Sequence, residues 1–241
     1  MFFHTHLYFS HKIFNSNLDD LLAIGSILPD IAISKVVDRE ELHEDKSIER
    51  FEKFVKENNS DYLSLIKGIK SHIILDGFTH KNYKNGTGYA FQKSSSLIDI
   101  ASKCCDVNKK LAQKTAHNFI EIAVDILLLR NAPALNEILK KSINSCDKER
   151  LSKLLSSFLK KDKGDLFSAI SLYFETILRY DLYNINGWVS LWGDINNLLY
   201  SKKINRDLTK KTIIKATYLI KNSYRKFLED SITAVKISKL V

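Results

Sequence analysis

The stretch Lys70-Ser71-His72-Ile73-Ile74-Leu75-Asp76-Gly77-Phe78-Thr79-His80 sets His, Asp and His at every fourth position. In an α-helix a step of four turns a side chain by only about 40° and advances it about 6 Å, so His72 and Asp76 share a face and can bind one metal ion. Gly77 weakens the helix there, which places His80 on a last turn or in the loop beyond, aimed at a neighbouring ion. A second stretch, Ala116-His117-Asn118-Phe119-Ile120-Glu121-Ile122-Ala123-Val124-Asp125, again spaces His, Glu and Asp by fours among apolar residues. Ionisable groups on a buried helical stripe need neutralising, and cations do that.

The surrounding chain supports helices. Only two prolines, Pro29 and Pro133, and eight glycines interrupt 241 residues, leaving long runs at helical spacing. No Pro/Gly/Ser-rich linker divides them, so one all-α, multi-helix domain over residues 1–241 is expected. All seven histidines fall between His4 and His117. Residues 1–130 therefore read as the metal-ligand half, and 131–241 as scaffold and cleft-wall helices.

Along the chain, His4, His6 and His11 lie in the first helix or its approach. Residues 18–28 read as an apolar helix closed by Pro29, with Asp30 just beyond its end. Residues 36–45 are charged and loop-like and contain His43; a helix follows with Phe51, Phe54 and Val55 as its apolar face. Ser60 and Asp61 read as the cap and first turn of the helix bearing His72 and Asp76. The Gly-containing segment 81–89 reads as a cleft rim, and 108–130 as a long helix. Later helices are expected near 133–145, 147–160, 164–181, 184–200 and 207–237. Phe167, Tyr173, Phe174, Trp188 and Trp192 read as core.

The net charge of +9 invites nucleic acid or anionic lipid as a partner. The lysines are dispersed and no basic helix alternates with aromatics, so nucleic acid is not favoured. The apolar N-terminus lacks a basic leader and is interrupted by histidines, and Ile120 to Leu129 carries Glu121 and Asp125; neither a signal peptide nor a transmembrane segment is expected. Three cysteines without a Cys-x-x-Cys suit a reducing cytoplasm.

Taken jointly, His6, Asp30, His43, His72, Asp76, His80, His117 and Glu121 suffice for two or three ions. Multi-ion clusters of this kind clamp a phosphate and activate water through a bridging hydroxide, so phosphoester hydrolysis is the expected chemistry. No Gly-x-Ser-x-Gly or Cys/His nucleophile competes.

The ordered set Thr5-His6, Gly25 through Pro29-Asp30, His43, His72 through His80, and His117 through Glu121 resembles the zinc-dependent phospholipase C and P1 nuclease superfamily, especially its short leaderless bacterial phospholipase C-like members. The resemblance covers about residues 1–130. It implies an all-α fold with a zinc cluster at the base of a cleft, with manganese or iron as possible substitutes. It further implies that His43, His72 and Asp76 hold one ion, with Asp76 bridging to another held partly by His6. His80, His117 and Glu121 would hold the remaining ion, Asp30 would be a ligand or the general base, and Asp125 would orient a ligand histidine. Asp30 and Asp76 are thus the expected catalytic carboxylates. Secreted members use the amine of a processed N-terminus as a ligand, whereas this chain begins at Met1, so two or three ions are expected.

The substrate classes implied are a phospholipid head group, a nucleotide or a protein-linked phosphodiester. A weaker likeness to acyl carrier protein phosphodiesterase lies in the opening His-x-His-Leu and in His72-x-x-x-Asp76-x-x-Thr79. The same residue set is compatible with a nuclease and with a non-catalytic metal-binding scaffold. A lipid substrate needs an apolar lip, for which Phe78, Tyr83, Tyr89 and Phe91 are the candidates.

Overall fold

In the computed structural model, which describes residues 3–14 and 19–238, every regular element is helical. In chain order the α-helices are α1 (Phe3–Phe14), α2 (Asp20–Ile27), α3 (Arg39–His43), α4 (Asp45–Asn58), α5 (Leu63–His80), α6 (Tyr89–Ser94) and α7 (Ile98–Cys105). They continue with α8 (Lys109–Asn131), α9 (Ala134–Ser145), α10 (Lys148–Leu159), α11 (Lys163–Leu178), α12 (Ile185–Tyr200), α13 (Arg206–Ile220) and α14 (Tyr224–Ser238). A 3-10 segment, Leu28–Ser34, follows α2 directly. The buried apolar side chains form one cluster running from Phe3 to Val235. No helix among the described residues is long and apolar enough to cross a membrane.

Helix α2 begins where Asp19 accepts a hydrogen bond from the Leu22 amide at 2.6 Å. It lies against α5 at backbone contact: a Cβ on Gly25 would stand 2.1 Å from the Leu65 carbonyl oxygen, and one on Gly68 would stand 2.4 Å from that of Leu22. Only two glycines permit this approach. Ser71 in α5 meets Ser10 of α1 through their hydroxyls, so α1, α2 and α5 pack as one unit.

The long helix α8 supports α1 from below. Buried Asp125 accepts from the backbone amides of His4 and Thr5, each at 3.0 Å, and from the Thr5 hydroxyl. A carboxylate from α8 thus caps the first turn of α1, where the orphan amides and the helix dipole favour negative charge.

Four expectations need revision. Residues 36–45 are not all loop: Arg39–His43 is helical, started by the Asp38 amide donating to Glu41 at 2.8 Å and pinned by Lys161, 2.9 Å from Glu41. Residues 207–237 are two helices, because at 221–223 the Ser223 amide turns back to the Ile220 carbonyl. Residues 81–89 do not present all their aromatics to a cleft. Tyr83 donates to Asp230 at 3.0 Å, and buried Tyr89 bonds Ser223 and stacks on Phe227. Ser60 and Asp61 form a short 3-10 turn ahead of α5 instead of its first turn. His80, by contrast, sits on the last turn of α5.

Candidate metal centre

Five segments deliver eight side chains to one place. His6 comes from α1, Asp30 from the 3-10 segment, His43 from α3, His72, Asp76 and His80 from α5, and His117 and Glu121 from α8. They form three sets whose ligand atoms lie within 4.8 Å of one another: His6, His72 and Asp76; Asp30, His43 and His72; His80, His117 and Glu121.

Asp76 is the common neighbour. Its Oδ1 lies 3.6 Å from His6 Nε2, and its Oδ2 lies 3.9 Å from His72 Nε2, 4.0 Å from His43 Nε2 and 3.5 Å from His80 Nδ1. Asp30 Oδ1 is 4.0 Å from His43 Nε2 and 3.9 Å from His72 Nε2. Glu121 Oε1 is 2.7 Å from His80 Nε2 and 3.6 Å from His117 Nε2. A tetrahedral ion with legs of about 2.0–2.1 Å requires donors about 3.4 Å apart. Three of these separations, Asp76 to His6, Asp76 to His80 and Glu121 to His117, are within a few tenths of an ångström of that edge, and those about Asp30, His43 and His72 are about half an ångström longer.

The rings are also oriented for coordination. His72 Nδ1 donates to the Ser26 carbonyl at 2.9 Å, and His43 Nδ1 donates to the Arg39 carbonyl at 3.0 Å. A carbonyl oxygen only accepts, so each ring carries its proton on Nδ1 and turns the Nε2 lone pair inward. Both Nε2 atoms are buried and have no hydrogen-bond partner. A buried acceptor left without a donor is costly, and an ion removes that cost. The residues present therefore fit zinc ions.

Electrostatics point the same way. Burial holds His6 well below the ordinary imidazole range, lowers His43 and His80 to about 4, and lowers His117 to about 3. Neutral imidazoles at pH 7 are what metal ligation needs. Burial alone would raise Asp76, but positive charge on the surrounding His72, His80, His6 and His43 lowers it well below the usual carboxylate range, and when those rings are neutral a bound cation would supply that charge.

The centre opens into a cleft of about 250 Å³. Asp30, Arg39, His43, Asp76, His80, His117, Asn118 and Glu121 supply its polar lining, and Ile33, Trp192, Ile195 and Leu199 its apolar wall. Trp192 is fully buried, as expected of core, and its indole NH points to Cys105 Sγ at 3.4 Å. Phe91 lies 4.5 Å from the His117 ring, centroid to centroid, and is partly exposed. The cysteines are free thiols.

Two placements differ from expectation. Asp125 orients a histidine, but that histidine is His4, at 3.1 Å, which is outside the three sets. Its carboxylate is taken up by the first turn of α1, and it acts on His6 only through that turn. Arg39 was missed: its Nη2 lies 3.0 Å from Asp76 Oδ2. It precedes His43 by four positions, a spacing that reads as one face only if 39–43 is taken as helix. The Met1 amine lies outside the described residues, and His11 is on α1 away from the cleft lining.

A family model described as zinc dependent phospholipase C matches residues 5–173, more than half of the chain, and the chain belongs to that family. No curated protein and no solved structure matches it. Family membership and the His/Asp sets together support a metal-dependent phosphoester hydrolase at the level of the family.

Proposed function

We propose that this member of the zinc-dependent phospholipase C family is a phospholipase C-like phosphodiester hydrolase. The reading is carried by one observation, the convergence of eight ligand side chains from five segments at the base of a cleft that is polar on one side and apolar on the other. When bound, the ions supply Lewis-acid charge for the phosphoryl oxygens and lower the pKa of water.

The chain's own groups divide the rest of the work. His72 Nε2 has a single lone pair and so would serve one ion, and we group it with His43 and Asp76 Oδ2, as the family resemblance implies. Asp76 Oδ1 then faces His6, and Glu121 with His117 and His80 forms the other end. Asp30, part-exposed at the cleft wall, is placed to take the proton of the attacking water. Arg39, whose side chain is 60% exposed, reaches over Asp76 and is placed to pair with an anionic phosphate oxygen. The wall of Ile33, Ile195 and Leu199 receives the apolar side of a lipid ester, while Phe91 gives the rim a single stacking aromatic, fewer than a strand-tracking nuclease uses.

The test is a parallel turnover screen of zinc- or manganese-loaded protein on p-nitrophenyl phosphorylcholine, bis-p-nitrophenyl phosphate, single-stranded DNA and holo-acyl carrier protein. Preference for the phosphorylcholine ester is expected. Preference for DNA or for the carrier protein would replace the lipid assignment, and inactivity of a metal-loaded protein on all four would leave a non-catalytic scaffold.

A further inference from the structure

Helix α13 has one face that the other described residues leave uncovered. Thr209, Thr212, Ile213, Ala216 and Ile220 are buried on its inner side, against α7, α8 and α12. On its outer side Ile214 and Tyr218, one turn apart, are 52% and 69% exposed, and Leu219 is exposed beside them. Water-facing apolar side chains in a row are unfavourable unless something covers them.

Their neighbours say what does. Lys211 is exposed on the same outer side, Lys215 is exposed beside it with its Nζ donating to the Ser96 carbonyl at 3.2 Å, and Lys221 Nζ lies 4.0 Å from the Tyr218 ring centroid. The only acidic residue of α13, Asp207, is in its first turn, two turns before Ile214. A ridge of aliphatic and tyrosyl side chains bracketed by lysines matches the boundary of an anionic bilayer. There the apolar groups enter the acyl region, the phenol sits at head-group depth and the ammonium groups meet lipid phosphates. Two-fold pairing with a second copy would set this basic face against itself, and bases of a nucleic acid would find one aromatic and two aliphatic side chains to stack on.

We infer that the outer face of α13 is a docking surface for anionic phospholipid membranes. It goes beyond the hydrolase reading and uses no residue of the metal centre. Should that reading hold, the surface holds the enzyme on a bilayer, since α13 packs on α8 and α12, which carry His117, Glu121 and the cleft wall.

The full chain is sedimented with phosphatidylcholine vesicles, with and without phosphatidylglycerol, at low and high salt. Binding that needs phosphatidylglycerol and weakens with salt is expected, and about tenfold weaker binding in Ile214→Ser/Tyr218→Ser and in Lys211→Glu/Lys215→Glu. Lys211→Gln/Lys215→Gln is the milder control, and circular dichroism with unchanged hydrolysis of a soluble ester shows that each variant is folded. Wild-type vesicle binding unaffected by any of these changes overturns the inference. So does a concentration-dependent dimer lost with Tyr218→Ser, or failure of an active enzyme to bind anionic vesicles. A chain that binds such vesicles yet hydrolyses no ester removes the proposed function and leaves this surface standing.

Discussion

Arg39 Nη2 lies 3.0 Å from Asp76 Oδ2, an ion pair between an exposed guanidinium and the carboxylate around which three histidine-bearing segments gather. The guanidinium stands at the cleft side of Asp76 and is not a ligand, so its removal separates substrate binding from metal binding. Arg39→Ala should keep its metal, measured by elemental analysis, and lose about 10²-fold in kcat/KM on a phosphodiester. Arg39→Lys should recover part of the loss. Metal content falling together with activity would give Arg39 a structural role.

Asp76→Asn should lose most bound metal, because one amide oxygen cannot replace two carboxylate oxygens facing His6 on one side and His72, His43 and His80 on the other. The apo protein should remain folded by circular dichroism. Full metal content with unchanged turnover would show that the cluster is centred elsewhere.

Gly68→Ala should destabilise the protein by at least about 2 kcal/mol, since the new methyl would meet the α2 backbone at Leu22, Ser26 and Gly25. It should also lower zinc affinity, because separating α2 from α5 draws the Ser26 carbonyl away from His72. Denaturant titration and zinc titration of the same preparation read both effects.

The metal-free protein should lose stability in acid before ordinary carboxylates titrate. Unfolded histidines bind protons near 6.5, whereas folded His43 and His80 do so at about 4 and His117 at about 3. Between those values the unfolded chain holds more protons, so stability is complete above about pH 6.5 and falls as pH drops towards 4, by on the order of a few kcal/mol. Urea unfolding of chelator-treated protein at about pH 7 and about pH 5 tests this. A flat profile would contradict the burial of these rings.

Local periodicity was enough to place His72, Asp76 and His80 on one helix and His117 and Glu121 on another, since four-residue spacing on an apolar background specifies both the helix and the shared face. Asp30 and His43 have no such signal; their inclusion came from their order within a known pattern. Arg39 escaped for a different reason, and Asp125 was paired with the wrong histidine for the same one. The helix that presents Arg39 is pinned by Lys161, and Asp125 spends its carboxylate on His4 and Thr5, both across more than a hundred positions. Likewise Tyr89, polar-looking in a glycine-rich segment, is buried by α14. Contacts between distant segments leave no trace in spacing.

The histidine that serves two of the ligand sets is held by the Ser26 carbonyl, an atom that every residue type possesses. Trimming the Ser26 side chain to a methyl group therefore leaves the orienting partner in place, whereas a larger side chain at this fully buried position would move the carbonyl with its backbone. Control over that imidazole's protonation site resides also at Gly25 and Gly68, which belong to none of the three ligand sets and act by letting the α2 and α5 backbones meet.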